Sequence, residues 1–218
     1  MTAFEAARTH MIESQLRPNK VTDERVLAAF AQLRRELFVP EHLRAVAYID
    51  DDLPLGCGRY LMEPMVAARL LQAVSVERTD SALVVGAGAG YEAAVLGLLA
   101  RAVVAIEEDE RLARLARAAL VDHRVASVKV VEGPLAEGCR ASAPYDVILF
   151  AGAAAEVPER IVAQLADGGR LAAIIRTEGS VGRAVLMSRA GTVIARRTIF
   201  DAATPVLPGL RQEPAFVF

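Results

Sequence analysis

The sequence predicts an α/β fold with a mostly parallel sheet covered by helices on both faces. From Ala82 onward, short aliphatic runs alternate with amphipathic helical stretches, the pattern of strands joined by crossover helices. A loop with glycines at alternate positions, within VVGAGAGYEAAV (84–95), joins the first of these runs to the first of these helices. Two strand-like runs then meet at Ala190-Gly191, a hairpin that ends the sheet in antiparallel fashion.

The elements follow in order. Residues 3–16 and 23–37 carry apolar positions at helical spacing, with Thr22 and Asp23 as candidate caps and Pro40 beyond the second helix. They predict an N-terminal helical extension. Residues 46–64, which include AYIDDDLPLGCGRYLMEP, concentrate Asp, Gly and Pro without periodicity and predict an ordered loop, followed by a helix over 64–74. The core then reads as strand ALVV, helix 91–100, strand VVAIE, helix 110–121, strand SVKVVE, strand YDVILF, a helix near 158–165 and strand RLAAIIR. The hairpin AVLMSRAGTVIARRTIF comes last. No repeat or low-complexity linker divides the chain, so residues 1–218 read as one domain, with helices and loop over 1–78 and an α/β core over 79–218.

Composition narrows the function classes. A chain of 218 residues that is 54% hydrophobic can bury one sizeable core. A formal net charge of -2 gives no global attraction to nucleic acid or anionic lipid, and no basic stripe interleaved with aromatics appears. The sequence therefore names neither nucleic acid nor membrane as a partner, and it carries no signal for an oligomeric state. The first residues lack the apolar core of a signal peptide, and the most apolar run, AAVLGLLARAVVAI, is broken by Arg101. Two cysteines, Cys57 and Cys139, form neither a disulfide framework nor a metal-ligand spacing. These readings predict a cytoplasmic protein without a metal. His10, His42 and His123 stand alone, and no GxSxG elbow is present.

The glycine loop carries the chemistry. Gly86, Gly88 and Gly90 close a strand and open a helix, where backbone N–H groups and the helix dipole favour an anionic group. Glycines also occur in ordinary strand-to-helix turns, so the loop alone is a weak signal. Glu107 strengthens it, because it ends the next strand 21 positions after Gly86, where a carboxylate accepts from the ribose hydroxyls of a nucleoside. The plainer alternative is a solvated strand-end charge beside Glu108 and Asp109. A dinucleotide fingerprint places its third glycine five positions after the first, where this chain has Tyr91. The GxGxG spacing, preceded by about eighty residues, favours S-adenosylmethionine over a nicotinamide dinucleotide.

The segments HMIESQLRP, VTDERVLAAF, RRELFVPEHLRAVAYIDDDLPLG, VVGAGAGYEAAVL and APYDVILFAGAAAEVPERIVAQLADGGRLAAII together resemble the protein-L-isoaspartate O-methyltransferase family over about residues 10–176. The resemblance implies a Rossmann-like, seven-stranded S-adenosylmethionine-dependent methyltransferase fold. It also implies transfer of a methyl group to the side-chain carboxylate of isoaspartyl or D-aspartyl residues in damaged proteins. By position it implies that Gly86, Gly88, Gly90 and Tyr91 meet the cofactor, Glu107 its ribose and Glu132 the region of its adenine, with Asp146 as a further strand acid. The loop carrying Tyr60, Met62 and Glu63 then borders the methyl acceptor, with Asp50 and Asp52 nearby.

The chain departs from the family pattern at two places. Val84 stands where the family carries an acid before the first glycine, and the loop that reads GQTISQP in the family reads GRYLMEP here, with Met62 in place of serine. A thioether cannot donate a hydrogen bond to a carboxylate, and Glu63 adds a like charge. These departures predict poor methylation of a standard isoaspartyl peptide, unless Arg59 or Tyr60 replaces the lost contact. Other readings are a methyltransferase of the same fold with a different acceptor, or a cofactor-binding protein without catalysis. Met62 and Tyr60 read equally as residues that pack the loop against the core.

Overall fold

The first helix begins at a reciprocal cap. The Thr2 hydroxyl accepts from the Glu5 amide and the Glu5 carboxylate accepts from the Thr2 amide, opening α1 (Ala3–Met11). In the computed structural model, which describes residues 2–177 and 179–211, this helix widens into a π turn over Ile12–Leu16. Asp23 rather than Thr22 caps α2 (Glu24–Gln32). The second helix stops five residues short of the predicted end, with Leu33 extended and a separate tight turn over Arg35–Leu37. Tertiary contacts override helical periodicity here. Arg35 turns inward, fully buried, and its guanidinium donates to the carbonyls of Ala47 (2.7 Å) and Met62 (2.6 Å).

The loop predicted over 46–64 contains a small antiparallel hairpin, β1 (Leu53–Gly56) with β2 (Arg59–Leu61). Its strands are too short for their alternation to stand out in the sequence. The turn is Gly56-Cys57-Gly58, all at positive φ (89°, 54° and 69°). Pro64 opens α3 (Pro64–Ala73), and Gln72 of that helix bonds the Thr22 and Asp23 amides and the Lys20 carbonyl, fastening the N-terminal layer.

The α/β core alternates as expected: β3 (Ser81–Val85), α4 (Tyr91–Leu99), β4 (Ala102–Glu107), α5 (Glu110–Asp122), β5 (Val128–Glu132), β6 (Tyr145–Ala154), α6 (Glu159–Val162), β7 (Leu165–Ile175), β8 (Gly182–Ala190) and β9 (Val193–Ala202). The helix expected near 158–165 is a single turn, because β7 already begins at Leu165. Seven strands form one sheet in the order β5-β4-β3-β6-β7-β8-β9. The first five are parallel, and β8 and β9 add antiparallel. Chain order reverses between β3 and β6, so a crevice for a ligand is expected at their carboxyl ends.

Apolar layers cover both faces of the sheet. One joins the N-terminal helices, α3 and α4 to the sheet through residues such as Phe30, Leu71 and Val95, and the other holds Ile148, Phe150, Ile161 and Leu207. α4 is buried on nearly every side, between the sheet and α2. Its Gly97 permits that approach, since a methyl group there would lie 2.5 Å from Val128 Cγ2 and 2.7 Å from Val125 Cγ1. Gly97→Val is expected to lower stability by about 1–3 kcal/mol through overpacking. Urea denaturation measures this, and an unchanged midpoint would show that α4 does not depend on the close seat.

Candidate cofactor and acceptor site

The glycine loop sits where the topology places a ligand. Gly86 and Gly88 follow β3 at positive φ (80° and 55°), and the amides of Gly86 and Ala87 both donate to the Ile106 carbonyl at 3.0 Å. Glu107, with no solvent exposure, ends β4 beside them. One of its oxygens accepts from the Gly88 amide at 2.6 Å, and the other from the Glu108 and Asp109 amides at 3.0 and 3.1 Å. The predicted pairing of glycine loop and strand-end acid is thus a physical contact.

A third participant comes from the hairpin. Alternation along β2 turns Arg59 and Leu61 inward and leaves Tyr60 exposed. Arg59 is 2% exposed and brings Nη2 to 2.9 Å from Glu107 Oε2. The contact is an ion pair rather than a hydrogen bond, because no N–H of the guanidinium points at an acceptor. Burial pulls the Arg59 pKa down, while Glu107, Glu108, Glu92 and Asp109 oppose that shift. Arg111 braces the hairpin by donating to the Leu55 carbonyl at 2.8 Å.

The space over the glycines is filled from two sides. A methyl group on Gly86 would lie 2.8 Å from Arg59 Nη2 and 3.0 Å from Leu207 Cδ1, and one on Gly152 of β6 would lie 2.5 Å from Leu207 Cδ2. Leu207 is held there because residues 205–207 pair with the end of β6: Ala153 donates to the Pro205 carbonyl and Leu207 donates to the Ala153 carbonyl. Sequence reading placed neither Arg59 nor Leu207 in this crevice. Only the inward phase of Arg59 on a short strand could have signalled it.

The other predicted residues are distributed as follows. Gly90 faces α5, where a methyl group would lie 3.0 Å from Ala116 Cβ, so its need for glycine is helix packing. Tyr91 is a core residue, its ring edge-on to Phe30 (5.7 Å) and Phe38 (5.2 Å) and under the Arg35 guanidinium at 4.9 Å. Glu132 ends β5 in register with Glu107 but is half exposed and paired with Arg117 at 2.7 Å. Asp146 lies at the opposite end of the sheet, accepting from the amide and hydroxyl of Ser81 at 2.8 and 2.9 Å. It ties the start of β6 to the start of β3.

Met62 has no solvent exposure and belongs to the apolar core. Its carbonyl accepts from the buried Arg35 guanidinium, an arrangement that packs Met62 into the core. Glu63 follows half-buried, with its amide donating to Asp52 Oδ1 at 2.9 Å. Burial, then Asp50, Asp52 and Asp51, push its pKa up to about 7. Burial likewise raises Asp52 and Asp50. Glu92, on the first turn of α4, is pushed up to about 7 by complete burial despite Arg35 nearby, and its Oε1 has no partner.

A family model described as Protein-L-isoaspartate(D-aspartate) O-methyltransferase matches residues 6–198. The chain belongs to this family. A protein-L-isoaspartate O-methyltransferase of Koribacter versatilis is 42% identical over 171 residues, 78% of this chain and 77% of the relative. One from Methanoculleus marisnigri is 38% identical over 186 residues, covering 85% and 84%. Among solved structures, a protein-L-isoaspartate O-methyltransferase superposes with a TM-score of 0.81 at 23% identity, over 94% of this chain and 67% of that one. A beta-aspartate methyltransferase structure from Plasmodium falciparum, in complex with S-adenosyl-L-homocysteine, gives 0.79 at 17% identity over 96% and 100%. At such identities the likeness is one of fold, and it bears out the seven-stranded methyltransferase architecture. The family resemblance read from the sequence also holds, and with it the class of S-adenosylmethionine-dependent O-methyltransferase.

The residues present fit that cofactor in kind: a left-handed glycine turn at the switch point and a strand-end carboxylate. In the arrangement described, Arg59 and Leu207 occupy the space directly above the glycines.

The buried acids set the pH response of stability. Glu92 has an ordinary value of 4.5 and a folded value near 7, so the folded protein holds its proton more tightly than the unfolded chain. Its contribution is present below about pH 4.5 and is lost as pH rises through about 7. This group alone is therefore expected to lower stability by about 1–3 kcal/mol between pH 5 and pH 8, and Glu92→Gln to remove that share while leaving the part that Glu63 contributes. Urea midpoints at the two pH values measure it. Identical pH profiles for wild type and variant would count against a protonated Glu92.

Proposed function

We propose that the chain methylates the side-chain carboxylate of isoaspartyl or D-aspartyl residues in proteins, using S-adenosylmethionine held by Gly86, Gly88 and Glu107. The contact between Gly88 and Glu107 at the carboxyl ends of β3 and β4 carries this reading, because it fixes a ribose acceptor beside the glycine turn. When bound, the cofactor supplies a methyl group on a sulfonium, already activated for transfer. The acceptor carboxylate is ionised near neutral pH. The protein's contribution is therefore placement and exclusion of water rather than proton removal.

Glu107 is held in orientation by the Gly88, Glu108 and Asp109 amides. On the hairpin Tyr60 is exposed, and its hydroxyl can donate to an incoming carboxylate. Glu63 and the neighbouring acids set the charge at that end. An ionised Glu63 repels an anionic acceptor, and a protonated one presents a donor. We place the protein in the cytoplasm, consistent with two unpaired cysteines. Among the described residues no helix is long and apolar enough to cross a membrane. Met62, sealed in the core, favours a second reading in which the acceptor is a different carboxylate.

Transfer of a radiolabelled methyl group to an isoaspartyl peptide, with the aspartyl peptide as control, tests the proposal. Only the isoaspartyl peptide is expected to be labelled. Its kcat/KM is expected to rise several-fold from pH 8 to pH 6 as Glu63 takes up a proton, with Glu63→Gln high and flat across the range. Equal labelling of both peptides would remove the isoaspartyl assignment, and a flat wild-type profile would remove Glu63 from the acceptor end.

A further inference from the structure

Glu107 is the sole carboxylate within ion-pair distance of Arg59 in the described residues, and the pair is sealed: Arg59 is 2% and Glu107 0% exposed. The remaining guanidinium nitrogens meet no acceptor. An arginine buried with unpaired donors is costly, so this side chain is held in the crevice mainly by attraction to acids at the end of β4 and the start of α5. Those acids gain less from it. Glu107 already accepts from three backbone amides and would stay satisfied if the guanidinium left.

The position matters more than the pair itself. Nη2 lies 2.9 Å from the oxygen that also accepts from Gly88, and it crowds the point where a methyl group on Gly86 would project. A nucleoside seated on the glycine turn with its ribose on Glu107 would approach the same oxygen and the space that Nη2 fills beside it.

We propose that Arg59 is an internal competitor for the cofactor site, so that binding the nucleoside requires the β1–β2 hairpin to withdraw its guanidinium from Glu107. This inference rests on the cofactor reading above and adds to it a residue that sets affinity. The structure supplies the means for movement. The hairpin's ladder is separate from the seven-stranded sheet, its turn is built on three left-handed residues, and among the described residues Arg111 alone ties its backbone to α5 by hydrogen bonds; Leu53, Leu55 and Leu61 anchor its strands in the core, so the displacement falls on the turn and the Arg59 side chain. Leu207 of the strap paired with β6 roofs the same space and has to shift with it. The cleft then pays a conformational tax: apparent affinity falls by the fraction of molecules with Arg59 withdrawn.

Calorimetric titration with S-adenosylhomocysteine tests this on the full chain, comparing wild type, Arg59→Gln, Arg59→Lys and the double variant Arg59→Gln with Leu207→Ala. Thermal melting of each confirms that it folds. Arg59→Gln is expected to bind at least tenfold more tightly than wild type, about 1.4 kcal/mol, and Arg59→Lys to stay near wild type because it keeps the charge. In wild type, amide exchange across residues 53–61 is expected to speed up when ligand is added, which a purely structural arginine would not produce. Equal, tight binding by wild type and Arg59→Gln would overturn the competition and leave the cofactor reading intact. A gain confined to the double variant would overturn the role of Arg59 and assign the block to Leu207. Absence of binding by every folded form would overturn both the competition and the cofactor reading.

Discussion

The carboxylate of Glu107 is the point to which the functional end of the molecule is tied. A buried acid at the end of a parallel strand has to be satisfied, and here the Gly88, Glu108 and Asp109 amides do so. Those bonds fix the glycine turn against β4 and set the direction in which α5 leaves the sheet. The Arg59 guanidinium adds charge to the same oxygen and thereby draws the β1–β2 hairpin over the turn. Leu55 follows, lying 3.1 Å from where a methyl group on Gly88 would project. Replacing a buried pair by apolar groups is often neutral in stability, so the pair does more to fix the position of the hairpin than to hold the fold together.

A second polar group supports the loop from below. Arg35, stacked on Tyr91, bonds the Ala47 and Met62 carbonyls and so pins both ends of the segment that contains the hairpin. Tyr48, next to Ala47, bonds the Glu36 carboxylate. Glu92 sits beside this group without a full set of partners, which is why burial keeps its proton near neutral pH. The acceptor end proposed above is therefore framed by carboxyl groups that burial pushes upward, while the cofactor end is framed by the Arg59–Glu107 ion pair. The two ends of one site answer to different physics.

Much of this was legible in the sequence. The alternation of ALVV, VVAIE, YDVILF and RLAAIIR with helical stretches reports the parallel sheet, because β-branched runs and helical periods are local properties. Gly86, Gly88 and Glu107 were legible for the same reason, each being a residue type at a strand end. The end of α2 at Gln32 was not, since the inward turn of Arg35 is caused by carbonyls far along the chain. Arg59 was read as a group that attracts the anionic acceptor, because a three-residue strand is too short to show which way it faces. Leu207 is an apolar residue among prolines, and only the pairing of its backbone with β6 gives it a place over the glycines. Asp146 and Tyr91 were named by position in a motif, which does not show that Asp146 bonds Ser81 at the start of β3 or that the Tyr91 ring packs in the core.

The central claim is that one carboxylate serves either the chain's own arginine or the nucleoside, never both. A crystal structure of the protein grown with S-adenosylhomocysteine tests it most directly. The account predicts the ribose on Glu107, the Arg59 guanidinium moved beyond ion-pair distance, and the β1–β2 hairpin displaced from the glycine turn. A ligand seated over Gly86 and Gly88 with Arg59 still paired to Glu107 would contradict it.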